Sequence, residues 1–506
     1  MTHSVEKRSF DLHVRGELPE ALEGHLIIAA SRRNKDRSVF SRWHDSQADL
    51  IRLDLHPGKP GRVEANLLSV DPFMHRFDSE LSEPEWPFYP TQPNHGINIR
   101  NGTVWATNLL FGAPLEIDLA RWEPRRILRF VKPTAAAPQV STTSHFAWSF
   151  DRRYAYFHQS LFQRESPGSP VRSADLRFIR LDTSTGRERV WRLRPPSGDD
   201  ALEGANFHSA FYFEEGGVQF VGLLRTGAVL EKLAPHAGQE EHAVIPSTAS
   251  TIWIVEINDN ADELQAETLP GVRELGGISL SHLDVDNAGG NGFVLYANYK
   301  QADVAEETHG RNVYDEEPGG VHEHYAGMLI EPLNYGSVIR YERRAGAVSI
   351  RVFKRAYDAG RTSRGHSWLP INIELDVSRK RLFCSFAGFH PRLLPRHVAE
   401  AYPGLAVDPR RIRYVPPLLM RFNAETLEPD YESDRSYLSY AEPVAFARAG
   451  DGSKDFICTF STEVGLRIYA AHDFTRMLCH AVSPHLMNWR DTHFRPDPAH
   501  MVFAQQ

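Results

Sequence analysis

Four histidines sit in contexts that could do chemistry. His145 lies in Thr-Thr-Ser-His-Phe-Ala-Trp, His208 in Ala-Asn-Phe-His-Ser-Ala-Phe, His282 in Ser-Leu-Ser-His-Leu-Asp-Val and His493 in Asp-Thr-His-Phe-Arg-Pro. Each stands at the head of an apolar or aromatic stretch. Imidazole is a good ligand for divalent iron, zinc, copper or nickel. Four imidazoles closing a tetrahedron around zinc make a structural site, whereas iron accepts further ligands at open positions. This chemistry leaves the identity of the metal open. Any one of these residues, taken alone, reads as an ordinary strand histidine among the 24 of the chain. The set is what points to a site.

The elements that must position them read as short strands. β-branched and aromatic runs recur at His25–Ala29, Thr103–Thr107, Tyr154–His158, Phe178–Leu181, Val218–Leu223, Thr251–Ile257, Gly292–Tyr299, Ser337–Tyr341, Val348–Phe353, Arg381–Phe386, Leu418–Phe422, Phe456–Phe460 and Leu466–Tyr469. Turn signals separate them, as at Asp182–Gly186, Glu214–Gly217, Ala288–Gly292 and Arg344–Gly346. One short helix is expected at His397–Tyr402. Many short strands with no dividing linker, over 506 residues, predict one all-β domain spanning 1–506, a seven-bladed β-propeller with divergent blades of roughly 72 residues. The candidate ligands are separated by 63 (145 to 208), 74 (208 to 282) and 211 (282 to 493) residues. These intervals approximate one, one and three blades, so four imidazoles on inner strands would converge on a metal at the propeller axis, beneath a cap of loops and a short helix.

At this point the chain resembles the carotenoid cleavage oxygenases. Val14–Gly24 is similar to that family's opening Gly-x-Leu-Pro…Leu-x-Gly segment, and Pro93–Ile97 with Ala113–Asp118 to the stretch ahead of its first ligand. The contexts of His145, His208 and His282 match its first three metal histidines. Ser367–Asn372 resembles its Glu-Phe-Pro segment, Ala441–Val444 its Ser-Glu-Pro-Val-Phe, and Ile468–Phe474 its penultimate strand. His493 falls where the C-terminal Phe-His-Gly ligand is expected; His485 and His500 are its rivals, and His366 an outside candidate. The resemblance implies a seven-bladed propeller holding Fe(II) with four histidines, and O2-dependent cleavage of a conjugated alkene into two carbonyl products. It implies a carotenoid or apocarotenoid as substrate before a stilbene, because the phenol-reading lysine of the stilbene-cleaving branch is not evident in Asn101–Pro114.

One departure stands out. Family members carry glutamates against the outer nitrogen of three histidines, and such groups fix the tautomer and raise ligand basicity. The matching positions lie near Leu110, at Trp368 and near Ser453, none of them Glu. Either Glu116, Glu374 or Glu442 takes the role, or Asp284, Asp286, Asp491 and backbone carbonyls rebuild it. Aromatic residues next to the ligands, Phe146, Trp148, Phe207, Phe211, Trp368 and Phe494, are candidates for a substrate tunnel. His322 and His324 share one strand face but sit among Glu316, Glu317 and Glu323, which reads as a solvated loop.

Composition limits the partners. Net charge is −8 and no basic stripe occurs, which argues against nucleic acid; Arg152–Arg153 and Arg410–Arg411 read as loop positions. Cys384, Cys458 and Cys479 are too few and scattered for a disulfide framework and fit a reducing, cytoplasmic compartment as structural thiols. Met1–Phe10 lacks the pattern of a secretory signal, and no apolar run is long enough to span a bilayer. The runs Phe389–Ala399 and Tyr414–Met420 mix apolar and basic groups and could rest on a membrane surface. The expected partners are O2 and an apolar small molecule. Competing readings are an iron site used for isomerisation or non-cleaving oxidation, a non-catalytic binding propeller, and a calcium-dependent lactonase, which would need carboxylate ligands where histidines stand.

Overall fold

The computed structural model describes residues 6–34, 48–59, 61–70, 93, 96–108, 112–132, 139–163, 172–197, 206–226, 228–232, 242–246, 251–272, 279–287, 292–300, 336–354, 369–387, 418–432, 444–447, 455–461, 465–483 and 494–505. All thirteen predicted strands are present, most of them longer than their apolar runs. The turn chemistry explains where they stop. The Asp182 carboxylate accepts from the amides of Ser184 and Thr185, and Ala345 and Gly346 both take positive φ between the strands Gly336–Arg344 and Ala347–Lys354. The candidate helix His397–Tyr402, and with it the expected cap, lies outside the described residues.

The strands gather into seven four-stranded antiparallel meanders among the described residues. The first holds Gly96–Arg100, Thr103–Thr107, Leu115–Asp118 and Glu123–Ile127. The second opens with two short pieces, Gln139–Thr142 and Ala147–Trp148, both paired to Tyr154–Gln163, and continues with Arg172–Asp182 and Glu188–Arg194. The third holds Asn206–Glu215, Val218–Thr226, Thr251–Glu256 and Glu263–Thr268, with the hairpin Ala228–Lys232 and His242–Pro246 inserted. The fourth runs Ser279–Asp286, Gly292–Lys300, Gly336–Arg344 and Ala347–Lys354; the fifth Leu369–Asp376, Arg381–Ala387, Leu418–Asn423 and Pro429–Glu432. The sixth holds Val444–Ala447, Phe456–Ser461, Gly465–Ala470 and Asp473–Val482. The seventh joins the two ends of the chain: Phe494–Gln505 pairs with Gly24–Asn34, followed by Ala48–Leu55 and Arg62–Ser69. The strand Glu6–Gly16 then bridges the outer edges of the sixth and seventh sheets.

Seven hydrophobic clusters show how the sheets are arranged, because each cluster draws on two successive sheets. Val104, Leu115 and Ile117 of the first meet Ile27, Leu50 and Leu68 of the seventh. The ring then runs through the first and second sheets, the second and third, the third and fourth, the fourth and fifth, the fifth and sixth, and the sixth and seventh. A ring of sheets packed face to face and closed by pairing the chain's two ends is a seven-bladed β-propeller. Its first strands lie innermost, several against the first strand of the next blade. The three cysteines are buried in these interfaces, and burial pushes the thiols up, Cys479 to about 11. They pack as small apolar groups.

Candidate metal centre

His145, His208 and His282 come from the innermost strands of three successive blades, the second, third and fourth. One ring nitrogen from each lies within 4.8 Å of the others. Their ring centroids are 5.2 Å (His145 to His208), 5.2 Å (His145 to His282) and 4.9 Å (His208 to His282) apart. His208 is buried and the other two are partly exposed.

A shared backbone feature places them. His145 falls in the break between the two short strands that open the second blade. His208 falls where the register between Asn206–Glu215 and Val218–Thr226 skips from Phe207 to Ser209. His282 falls where the register opposite Gly292–Lys300 skips from Leu280 to Leu283. A bulge breaks the alternation of a strand and re-aims a side chain. Here it turns a histidine out of the blade-to-blade packing and towards the other two.

The segment around His145 is held by its neighbours on both sides. Toward the third blade, Ser144 and His145 amides donate to the carbonyl of His208 at 2.9 and 3.2 Å, and the Ala210 amide donates to the His145 carbonyl at 2.9 Å. The two histidine-bearing segments are thus bonded directly to each other. Toward the first blade, Asn98 reads the same segment twice: its Nδ2 donates to the Ser144 carbonyl at 2.9 Å and its Oδ1 accepts from the Phe146 amide at 2.8 Å. Thr107 Oγ1 donates to the Ser144 carbonyl at 2.9 Å, and Ser144 Oγ to the Asn108 carbonyl at 2.6 Å. Gly96 makes this approach feasible, since a Cβ there would stand 2.5 Å from the Ser144 oxygen.

Two of the histidines have uncharged polar partners at Nδ1. His208 Nδ1 meets Ser209 Oγ at 3.1 Å. His282 Nδ1 meets Asn298 Nδ2 at 3.2 Å, while Asn298 Oδ1 accepts from the His282 amide at 2.8 Å. Neither Ser209 nor Asn298 was expected from the sequence. Ser209 had only adjacency to signal it, and Asn298 becomes visible once the register opposite His282 is known. Two carboxylates proposed for this role are engaged elsewhere. Glu116 pairs with Arg126 at 3.1 Å, and Asp284 accepts from the amide of Leu375 in the fifth blade at 2.8 Å. Glu442 and Asp491 lie outside the described residues.

The aromatic candidates pack differently from expectation. Phe146 stacks on Phe157 at 4.4 Å in the interface of the first and second blades, where Trp148 also packs. Phe207 meets Trp253 at 4.8 Å between the second and third, and Phe211 meets Phe293 at 5.0 Å between the third and fourth. Phe146, Phe207 and Phe211 are core, and Trp148 packs half-buried against it. The reason is the bulge: only the histidine is turned out of the ladder, and its neighbours keep the strand's alternation into the blade interfaces. Phe494 opens the closing strand. Trp368, His322, His324, His366, His485 and His493 lie outside the described residues, as do most of the two runs proposed to touch a membrane.

Although His145 is partly exposed as a residue, its Nε2 is shielded from solvent, and this burial pushes the imidazole down to about 4. His158, wholly buried with Nδ1 2.7 Å from Thr143 Oγ1, is pushed down to about 3 by the same cause. Both groups bind their proton more weakly folded than unfolded. Stability is therefore fully present above the unfolded value near 6.5 and is lost as pH falls from there toward 4 and 3. His158→Gln is expected to flatten the acid limb of a plot of unfolding midpoint against pH in this range; an unchanged limb would remove His158 as a contributor.

No family model matches the chain, and no curated protein sequence matches it. Solved structures do. A variant of Synechocystis apocarotenoid oxygenase is similar over 99% of this chain and 96% of its own, at 13% identity and a TM-score of 0.57. A second variant of that enzyme gives 14% identity and 0.57 over the same shares, and an ACO/RPE65 chimera 14% and 0.54. The chain therefore has the propeller fold seen in apocarotenoid oxygenase. Among the described residues no helix is long and apolar enough to cross a membrane.

Proposed function

We propose that this protein is a non-haem Fe(II) oxygenase that uses O2 to split a conjugated C=C bond of an apolar substrate, of the carotenoid or apocarotenoid class, into two carbonyl products. The observation that carries the reading is the convergence of His145, His208 and His282 from three blades. Ligand atoms around one ion at about 2.0–2.1 Å stand about 3 Å apart. A separation within 4.8 Å leaves the three nitrogens near enough to one another to share one ion. The donor set also fits. All three are imidazoles, and burial keeps His145 unprotonated with a lone pair available at neutral pH. They would hold iron without cancelling its charge. Bound there, iron supplies the activation of O2; the chain's own residues hold, orient and exclude water.

The closing strand carries a candidate for the fourth ligand. The first three histidines stand at irregularities of innermost strands, and Phe494–Gln505 has one too, where pairing skips from Ala29 with His500 to Ala30 with Pro498. His500 is beside that bulge. His493 lies just before this strand in the sequence, outside the described residues. This makes His500 a candidate for the fourth ligand beside His493. The closing blade pairs Phe494–Gln505 with Gly24–Asn34, which supports treating 1–506 as one functional domain.

The test is O2 consumption by Fe(II)-loaded protein over a panel of apocarotenoids and stilbenes, with products identified by mass. Consumption of one O2 per alkene and two carbonyl fragments carrying its oxygen are expected. Isomerised substrate without O2 uptake would replace cleavage by isomerisation at the same site. No turnover of any polyene would reject the reading.

A further inference from the structure

We propose that Asn298 is a positioning residue that makes His282 the weak member of the histidine cluster, an inference that rests on the metal-binding reading above. Asn298 is wholly buried on Gly292–Lys300, opposite the bulge that carries His282. Its amide makes two contacts to the same residue. Oδ1 accepts from the His282 backbone N–H at 2.8 Å, and Nδ2 stands 3.2 Å from His282 Nδ1.

The first contact decides the sense of the second. A backbone N–H only donates, so the amide oxygen must face it and the NH2 group must face the ring. An NH2 group only donates, so Nδ1 must accept. In a neutral imidazole the proton then sits on Nε2. With Nδ1 taken by Asn298, ligation runs through Nε2, and that nitrogen must give up its proton. The proton has to move to Nδ1, where it would point at the donor hydrogens of Asn298. Turning the amide over does not help, because NH2 would then face the backbone N–H. His282 thus meets a donor against a donor whenever it ligates. His208 has no such conflict, because the Ser209 hydroxyl at 3.1 Å can accept from Nδ1 as readily as donate to it.

A carboxylate at this position has the opposite effect. The side chain of Asn298→Asp has the same shape and two acceptors, one for the backbone N–H and one for Nδ1–H. It would hold the tautomer that ligates through Nε2 and make the ring more basic. Asn298 therefore lowers the occupancy of a complete site and leaves His282 easily displaced.

The experiment is anaerobic Fe(II) titration of the full chain, stripped by chelator, against a competing chelator, with Co(II) absorption as a second readout of ligand number. Wild type, Asn298→Asp, His208→Ala, His282→Ala and the double variant Asn298→Asp/His282→Ala are compared. Asn298→Asp is expected to bind about 10–100-fold more tightly than wild type. His282→Ala is expected to weaken wild type less than about 10-fold and less than His208→Ala does. In the Asn298→Asp background the same change should cost the whole gain, the coupling that a double-mutant cycle isolates. Asn298→Asp binding no more tightly than a wild type that does bind would overturn the inference and leave the metal site standing. So would His282→Ala being as damaging as His208→Ala, a comparison that holds even if Asn298→Asp misfolds. Failure of every protein, wild type included, to bind Fe(II) or Co(II) would sink both readings.

Discussion

His208→Ala is expected to abolish tight metal binding and with it O2 uptake. His208 is the buried member of the cluster, and its carbonyl accepts from Ser144 and His145 while its ring meets both other rings. Alanine keeps the backbone bonds and deletes only the imidazole. The fold should survive, because the strand ladder and the Phe207 core contacts are untouched. The loss should be visible without substrate. A ligand that binds only the folded state stabilises it by about 2.7 kcal/mol at a hundredfold excess over Kd. Fe(II) should therefore raise the unfolding midpoint of wild type and leave that of His208→Ala unmoved. An equal rise in both would place the ion elsewhere.

Asn98→Ala should be the most damaging change away from the histidines. Asn98 is buried, and its amide serves a carbonyl and an amide on either side of His145. Truncation leaves the Phe146 N–H without its acceptor, while the Ser144 carbonyl keeps Thr107. A buried unsatisfied group costs about 1–3 kcal/mol, to which the lost bond to Ser144 adds about 1 kcal/mol. The expected destabilisation is about 2–4 kcal/mol in denaturant, accompanied by weaker metal binding as the His145 segment loosens. Asn98→Asp should lie between, since it keeps the acceptor for Phe146 and loses the donor to Ser144. A midpoint equal to wild type for Asn98→Ala would show that this clamp contributes nothing to stability.

Much of the architecture was legible because second and third strands of blades are apolar on both faces. Val104 to Ala106 and Tyr154 to Phe157 announce themselves as runs, and turns such as Asp182–Gly186 bound them. Outer strands were not legible. Glu123–Ile127 is largely solvent-facing and reads as Glu-Pro-Arg-Arg-Ile, with no apolar run to mark it. Innermost strands were half legible: aromatic residues marked Asn206–Glu215, but bulges break the alternation that periodicity relies on. Blade spacing found the three histidines that converge even though blades differ in length, because imidazole is informative wherever it recurs at strand heads. The outer partners were hidden for a different reason. Asn98 and Asn298 act across strand pairings, and nothing in a linear reading sets Asn298 opposite His282 or Asn98 beside Ser144. Adjacency misled for Phe146 and Phe207, since neighbours in sequence point to opposite sides of a strand.

Metal analysis of wild-type protein purified under argon tests the central claim most directly. About one iron per chain, released by chelator and restored by Fe(II), is the expected result. Protein that carries no iron and takes up none when offered Fe(II), or that holds calcium instead, would contradict a histidine-held iron centre and leave a binding propeller as the better account.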